Sequence, residues 1–169
     1  MKLEVSLNGL GILADALERY ADDLDKKTQE LRSRVGHELQ RLVQRGFAGA
    51  VSDTTLAGAD EHADVSVNVT EDGNVTVVMA LGEDAVWAEF GAGVWFNGNA
   101  GSSPHPRGEE LGMTIGGYGK GRGKRETWGY YRDGELHITH GTPASMPMWN
   151  ASRTVIEMLP GIAREVFRA

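Results

Sequence analysis

The sequence contains no cysteine, which excludes disulfide frameworks, zinc–cysteine sites and thiol nucleophiles. It is also short of positive charge, since 17 Lys and Arg stand against 24 Asp and Glu, for a formal net charge of −7. General nucleic-acid binders are usually basic, so this balance argues against that class but leaves room for a local basic patch. The lack of cysteine fits synthesis in a reducing compartment such as a bacterial cytoplasm.

Long apolar runs are missing as well. No segment approaches the roughly 18 apolar residues that cross a bilayer, so we expect no membrane partner. The start, Met1–Val5, carries an acid and no apolar run, which predicts that it is not a signal peptide. With 169 residues, 40% hydrophobic and 24% charged, the chain is predicted to form one soluble globular domain, 1–169.

Glycine, by contrast, is abundant: there are 23, and they are dense between Gly91 and Gly134. The stretch 93–126 shows no sustained hydrophobic period and is predicted to be a long glycine-rich loop. Loops of this length are usually functional, or disordered until they bind a partner. This one carries Tyr118, Lys120, Arg122, Lys124 and Arg125.

The first 50 residues are predicted to form a strand followed by two helices. Lys2–Leu7 alternates polar and apolar residues, as a half-buried strand does. The first helical stripe is Leu10, Leu13, Leu17, Tyr20 and Leu24; the second is Leu31, Val35, Leu39, Leu42 and Val43. Whether the two helices join near Asp23 stays open at this point. The stripes either pack on a sheet or meet a partner helix in an oligomer.

The rest of the chain indicates two hairpins and a last helix. The region 64–92 holds a hairpin around Glu71–Asn74 and then a short helical turn or strand end. A second hairpin occupies 127–140, and a helix capped by Ser145 and kinked or divided at Pro160 occupies 144–168. The fold class predicted is therefore α+β, an antiparallel sheet with an N-terminal helix pair and a C-terminal helix.

The sequence contains no complete motif for binding a metal or a phosphate group. On a strand, His137 and His140 point to opposite faces, and the pairs Glu135/His137 and His62/Asp64 fall short of the three ligands that a metal site needs. Gly123-Lys124 is followed by Arg125 rather than Ser or Thr, and Tyr118 stands where a Walker loop has its first glycine. We therefore predict no cofactor.

Catalytic motifs are equally incomplete. Ser102, Ser103 and Ser145 are nucleophiles by type only, since none lies in a G-x-S-x-G elbow. The acids Glu83, Asp84 and Glu89 could in principle serve glycoside hydrolysis, but carboxylates so close in sequence are more often part of a solvated turn. The sequence predicts that the chain is not an enzyme.

Several short elements, taken in order, resemble a known family. Val86-Trp87-Ala88-Glu89-Phe90-Gly91-Ala92-Gly93 resembles the hydrophobic-x-E-F-G-T-G signature of the phage tail-component family typified by the tail-completion proteins of lambdoid and HK-type siphophages. The pattern continues with Ser103-Pro104-His105-Pro106, a glycine-rich stretch and Trp128-Gly129-Tyr130-Tyr131-Arg132-Asp133-Gly134. It closes with Gly141-Thr142-Pro143-Ala144-Ser145-Met146-Pro147-Met148-Trp149. Ala92 replaces the usual Thr, and Met148-Trp149 replace an aromatic-first pair.

The resemblance implies a virion structural protein of a tailed bacteriophage, acting in tail completion or in the head–tail connector (neck). Its implied partners are other copies in a hexameric or larger ring, further neck and tail proteins, and transiently the packaged DNA; its location would be the virion. Trp87 and Phe90 would anchor the Glu89-Phe90-Gly91 turn in the core. The segment with Pro143 and Pro147, ahead of Trp149, would lead the last helix back across the sheet.

Two other functions are weighed against this one. The basic loop, with Lys120, Arg122, Lys124 and Arg125 in a six-residue span, could contact DNA phosphates, which would make the chain a DNA-binding accessory protein. The same loop could instead dock on an acidic neighbouring subunit or simply aid solubility. A cell-wall hydrolase is the third possibility, and it lacks an acid/base pair.

Overall fold

The computed structural model describes residues 7–53, 61–91, 103, 105–108, 110–111, 128–139 and 141–168. Its elements, in chain order, are α1 (Leu7–Ala48), β1 (Val51–Asp53), β2 (Glu61–His62), β3 (Ser66–Asp72), β4 (Val75–Leu81), α2 (Asp84–Phe90), β5 (Trp128–Arg132), β6 (Glu135–Thr139) and α3 (Pro147–Arg168). The predicted α+β class is confirmed.

The two predicted helices are joined: both stripes belong to one helix, α1, of 42 residues. At about 1.5 Å per residue, α1 is ~63 Å long. No glycine or proline lies between Asp15 and Arg34, so nothing in the backbone breaks the helix where the two were expected to meet. The strand predicted at Lys2–Leu7 lies outside the described residues, except for Leu7, which begins α1.

The strands form three separate two-stranded antiparallel sheets rather than one antiparallel sheet. Both predicted hairpins are confirmed, β3–β4 with Ser66 opposite Leu81 and β5–β6 with Trp128 opposite Thr139. The third sheet pairs the short strands β1 and β2. Among the described residues no strand joins the two hairpins, and the β3–β4 hairpin packs against α1.

The C-terminal helix begins at Pro147, one residue later than a cap at Ser145 predicts. Met146 precedes it with a φ of 52°, and Pro147 is its first residue. Proline suits this position because it has no N–H to satisfy and its φ is preset for a helix. Pro160 does not divide α3, which continues to Arg168.

The core lies where the C-terminal half of α1 meets α2, α3 and the β3–β4 hairpin. The buried residues at its centre are Val43, Phe47, Ala50, Val67, Ala85, Ala88 and Ala151. Pro147 approaches α1 so closely that a Cβ on Gly46 would lie 2.7 Å from the Pro147 Cβ. The last helix therefore packs on α1, and the expectation that it crosses a sheet is wrong.

Candidate functional site

Glu89 is a buried carboxylate on the inner face of the short helix α2. Its neighbours on that face, Ala85 and Ala88, are also buried, and Glu89 itself is only 6% exposed. The expectation of a solvated acidic turn is therefore wrong for Glu89. It holds better for Glu83, which is exposed. Asp84 lies between these cases and accepts the backbone N–H of Asp64 at 3.0 Å.

The Glu89 carboxylate caps the N-terminus of α3 from a distant part of the chain. Oε2 accepts the N–H of Met148 at 2.8 Å, and Oε1 accepts the N–H of Trp149 at 2.9 Å. Pro147 has no N–H, and the N–H of Asn150 reaches the Met146 carbonyl at 2.9 Å. The donors of the first helical turn are thus satisfied without Ser145, because a charged acceptor on α2 takes the role of the cap.

His105 provides the third hydrogen-bond partner of the Glu89 carboxylate. Its Nε2 lies 3.1 Å from Glu89 Oε1, while its Nδ1 lies 3.0 Å from the backbone nitrogen of Arg107. A backbone N–H can only donate, so Nδ1 is the acceptor and the proton sits on Nε2, which donates to Glu89. The geometry therefore fixes His105 as a neutral Nε2–H tautomer.

Two aromatic rings enclose the imidazole of His105, which is 6% exposed. The Phe90 ring centroid lies 4.4 Å from it in a tilted arrangement, and the Trp149 ring lies 5.4 Å away, edge to face. Both distances are in the range at which aromatic rings attract. The histidine therefore joins α2 to α3 by packing as well as by its hydrogen bond.

Ser103 ties this loop segment to the backbone of α2. Its hydroxyl donates to the carbonyl of Phe90 and accepts the N–H of His105 at 3.2 Å. The serine hydroxyl therefore bonds main-chain groups. A nucleophilic serine would instead donate its hydrogen bond to the imidazole, which acts as the base. In the described part of the chain, no buried side-chain nitrogen or oxygen lacks a partner. The arrangement can hold three segments together, and its polar atoms are already used in doing so.

An open depression of about 410 Å³ lies beside the pair, walled by Phe90, Leu111, Met148 and Trp149. At its rim the Arg107 guanidinium donates two hydrogen bonds to Glu110, at 3.0 and 3.1 Å. These bonds and the added charge attraction lower the pKa of Glu110 and raise the pKa of Arg107. This outer pair is exposed, so water screens it and it contributes little stability.

The structure places most of the predicted motif residues at or near this site, but their burial differs from the prediction. Trp87 and Phe90, predicted to anchor the turn in the core, are only half-buried, and Phe90 lines the depression; the buried residues of α2 are Ala85, Ala88 and Glu89. Pro147 is buried, whereas Pro143 and Trp149 are half-buried. The Ser145 and Met146 N–H groups both reach the Ala88 carbonyl, which fixes the approach to α3.

Gly91 supplies the predicted turn after α2. Its φ is 80° and its ψ 155°, and its N–H donates to the Trp87 carbonyl at 2.7 Å. A Cβ here would lie 3.2 Å from the Ala144 Cβ and 3.3 Å from the Thr142 carbonyl oxygen. Only glycine adopts this backbone conformation without strain.

Gly91→Ala is expected to lower the free energy of unfolding by about 1–3 kcal/mol, because a strained backbone region and a tight contact coincide. Urea unfolding of the variant measures the change. Gly161→Ala is the control: this helical glycine has nothing within 4 Å of an added Cβ, so alanine there should be neutral or stabilising. Equal effects at the two positions would contradict this assignment for Gly91.

Most of the remaining predicted site residues cannot be placed relative to this cluster, because the structure does not describe them. The basic loop residues Tyr118, Lys120, Arg122, Lys124 and Arg125 lie outside the described residues, as does His140. His137 stacks on Tyr130 across the second hairpin, with ring centroids 5.5 Å apart. The described ranges contain no group of three His, Cys, Asp or Glu residues that could hold a metal. They also contain no helix with the length and apolarity to span a bilayer.

Glu89 and His105 belong to two separate sequence motifs, and the sequence analysis did not predict their contact. The available signal was an acid two residues before a turn-forming glycine and a histidine between two prolines, both ahead of a proline-started helix. Comparison of the chain with protein-family models, with curated proteins and with solved structures finds no match.

Proposed function

We propose that this chain is a structural virion protein of a tailed bacteriophage, a tail-completion or head–tail connector subunit that forms a ring around the DNA channel. The observation that carries the proposal is the meeting of three motif segments at one carboxylate. Glu89 of the Glu-Phe-Gly segment binds His105 of the Ser-Pro-His-Pro segment and the first turn of α3, where the Pro-x-x-x-Pro segment ends. The resemblance gave only their order along the chain.

The chemistry of the cluster supports a structural role. The two ring nitrogens of His105 are both engaged, and the Glu89 carboxylate accepts three hydrogen bonds. A general acid or base must exchange a proton with a substrate, and a group whose positions are filled by the protein itself is poorly suited to that. The cluster is better suited to locking α2, the histidine segment and α3 in one arrangement.

The test is deletion of the gene from the phage or prophage genome that carries it. We expect induced cells to accumulate full heads and separate tails, seen by electron microscopy, with loss of infectious titre. A plasmid copy of the wild-type gene should restore joined particles. A plasmid copy with Glu89→Ala should restore far fewer. Normal titre and joined particles after deletion would exclude the proposed function.

The alternative, a DNA-binding accessory protein, makes a different prediction. It requires affinity for DNA at low salt that falls steeply as salt rises and is lost on replacing Arg122 and Lys124. Glu89→Ala should leave that affinity unchanged if the folded domain persists. Salt-sensitive DNA binding together with normal particle assembly after deletion would favour this alternative over the ring subunit.

A further inference from the structure

The N-terminal part of α1 carries an apolar stripe that is exposed along its whole length. Every side chain from residue 10 to residue 26, here called the α1 arm, is exposed. The stripe consists of Leu10, Leu13, Leu17, Tyr20 and Leu24, between 41% and 67% exposed. Spacings of three and four residues keep these side chains on one side of the helix. Contiguous exposed apolar surface of this kind marks an interaction site.

Further along α1, the same side of the helix is covered by α3. The stripe continues there through the half-buried residues Leu31, Val35 and Leu42. An added Cβ on Gly46 would meet Pro147 at the start of α3, and the Arg34 guanidinium lies 3.6 Å from the Glu165 carboxylate near its end. The two helices therefore run antiparallel, and α3 ends close to the point where the arm begins. The arm thus exposes a surface of the kind that α3 covers within the chain.

The helix α3 has an apolar surface of its own that faces away from its buried side. The buried side is formed by Ala151, Val155 and Val166. A different side, here called the α3 outer stripe, carries Trp149, Ile156, Leu159, Ala163 and Phe167, spaced by seven, three, four and four residues. Ile156 is 67% exposed, and Leu159 and Phe167 are 39% and 42% exposed. The depression beside Glu89 lies at the Trp149 end of this stripe.

Charge divides α1 into an acidic and a basic half. Residues 7–25 hold five Asp and Glu against one Arg, whereas residues 26–48 hold six Lys and Arg against two Glu. At 3.6 residues per turn, Glu18 and Asp25 border the apolar stripe of the arm, while Arg19 and Lys26 lie on the opposite side of the helix. The arm therefore presents an apolar stripe with an acidic border.

The α3 outer stripe has a basic border. Arg153 and Arg164 lie beside it and are exposed, and neither forms an ion pair within the part of the chain that the structure describes. Of the two acids on α3, Glu165 is held by Arg34, and Glu157 lies farther round the helix from the stripe than the two arginines. The α3 outer stripe and the arm are therefore both apolar and carry opposite charge at their borders.

We propose that the α1 arm of one copy packs along the α3 outer stripe of a neighbouring copy, with Glu18 and Asp25 beside Arg153 and Arg164 of that copy. The helix α3 then lies between two α1 helices, its own on the buried side and the neighbour's on the outer side. Because the two surfaces differ, the contact is head-to-tail, the kind that can close into a ring. Closure into a ring rests on the proposed function; the contact between copies does not.

Two other surfaces of a second copy are apolar enough to cover the arm. A second arm would set five acids against five. The outer face of the β3–β4 hairpin, formed by Val75, Val77, Met79 and Leu81, has acids at its ends, at Glu71, Asp72 and Glu83. Like charges brought together at a contact are unfavourable, so the α3 outer stripe fits the arm better than either of these surfaces.

Cross-linking tests the contact directly, because the natural chain has no cysteine. Leu17→Cys marks the middle of the arm stripe and Ile156→Cys the middle of the α3 outer stripe, at positions 60% and 67% exposed. A short bis-maleimide should link an equimolar mixture of these two variants into a heterodimer. Ile12→Cys is the matched control, 72% exposed on the same arm but off the stripe, and should link to Ile156→Cys far less.

Two outcomes of the cross-linking would contradict the proposal. Efficient linking of Leu17→Cys to itself would show that arms pair with arms. Linking of Leu17→Cys to Val77→Cys as efficient as its linking to Ile156→Cys would show that the hairpin covers the arm instead.

Charge reversal tests whether the borders select the partner, by sedimentation velocity over a wide range of chain concentration. Each of two double variants, Glu18→Arg with Asp25→Arg and Arg153→Glu with Arg164→Glu, should lose the self-association of the wild type, because like charges then meet. An equimolar mixture of the two should regain it. All four side chains are exposed, so the fold should persist, which circular dichroism checks.

Association of the wild type should also weaken as salt rises, since salt screens charges at an exposed border. A wild type that stays monomeric up to millimolar concentration, or a mixture of the two reversed variants that does not regain association, would overturn the proposal. Particle assembly after gene deletion reports separately on the proposed function.

Discussion

Glu89→Ala is expected to lower the free energy of unfolding by about 3–5 kcal/mol, since it leaves one buried and two part-buried donors without an acceptor. These are the His105 Nε2–H and the N–H groups of Met148 and Trp149. The change also removes a negative charge from the positive end of the α3 dipole. Domains of this kind are stable by about 5–15 kcal/mol, so the variant should be close to unfolding.

The measurement is urea unfolding followed by circular dichroism. Glu89→Gln gives an intermediate result, a loss of about 1–2 kcal/mol, because the amide oxygen still accepts while its NH₂ group faces a donor. Glu83→Ala is the matched control, an exposed glutamate immediately before the same helix whose side chain makes no capping bond. A loss below about 1 kcal/mol for Glu89→Ala would show that water replaces the carboxylate without cost.

Phe47→Ala is also expected to lower the free energy of unfolding by about 3–5 kcal/mol. Phe47 is 1% exposed and is the largest of the fully buried side chains among the described residues. Its neighbours in the core include Ala50, Ala85 and Ala88, which are too small to fill the space that the ring would leave. The cavity would therefore persist, and cavity volume adds to the loss of apolar burial.

Thermal and urea unfolding both report this change. Phe47→Leu should cost less, about 1.5 kcal/mol, because most of the volume is kept. Phe167→Ala serves as the control, since that ring is 42% exposed on α3. Comparable losses at Phe47 and Phe167 would mean that the packing of the C-terminal half of α1 is not what stabilises the domain.

The order of the motifs along the sequence did not reveal which of their residues contact each other in the candidate site. Glu89 and His105 are separated by 16 positions, and no periodic pattern relates them. Their pairing depends on tertiary contacts, which local sequence does not encode. The same holds for the cap of α3, since Ser145 had the right residue type and position while the acceptor came from 59 positions away. A buried carboxylate outcompeted a local hydroxyl because it offers charge and two oxygens to the helix end.

The sequence by itself determined the local elements of this protein. Strand-like runs on either side of turn residues placed both hairpins, an apolar helical stripe after a candidate Ser145 cap placed α3, and the absence of cysteine removed a whole class of sites. These properties depend on neighbours in the chain. The tertiary structure alone decided that the hairpins form separate sheets and that α3 packs on α1. It also turned Glu89, a surface acid by its sequence context, into the buried acceptor that joins three segments. Burial and hydrogen-bond satisfaction are set by contacts between residues far apart in sequence, so only the folded chain reveals them.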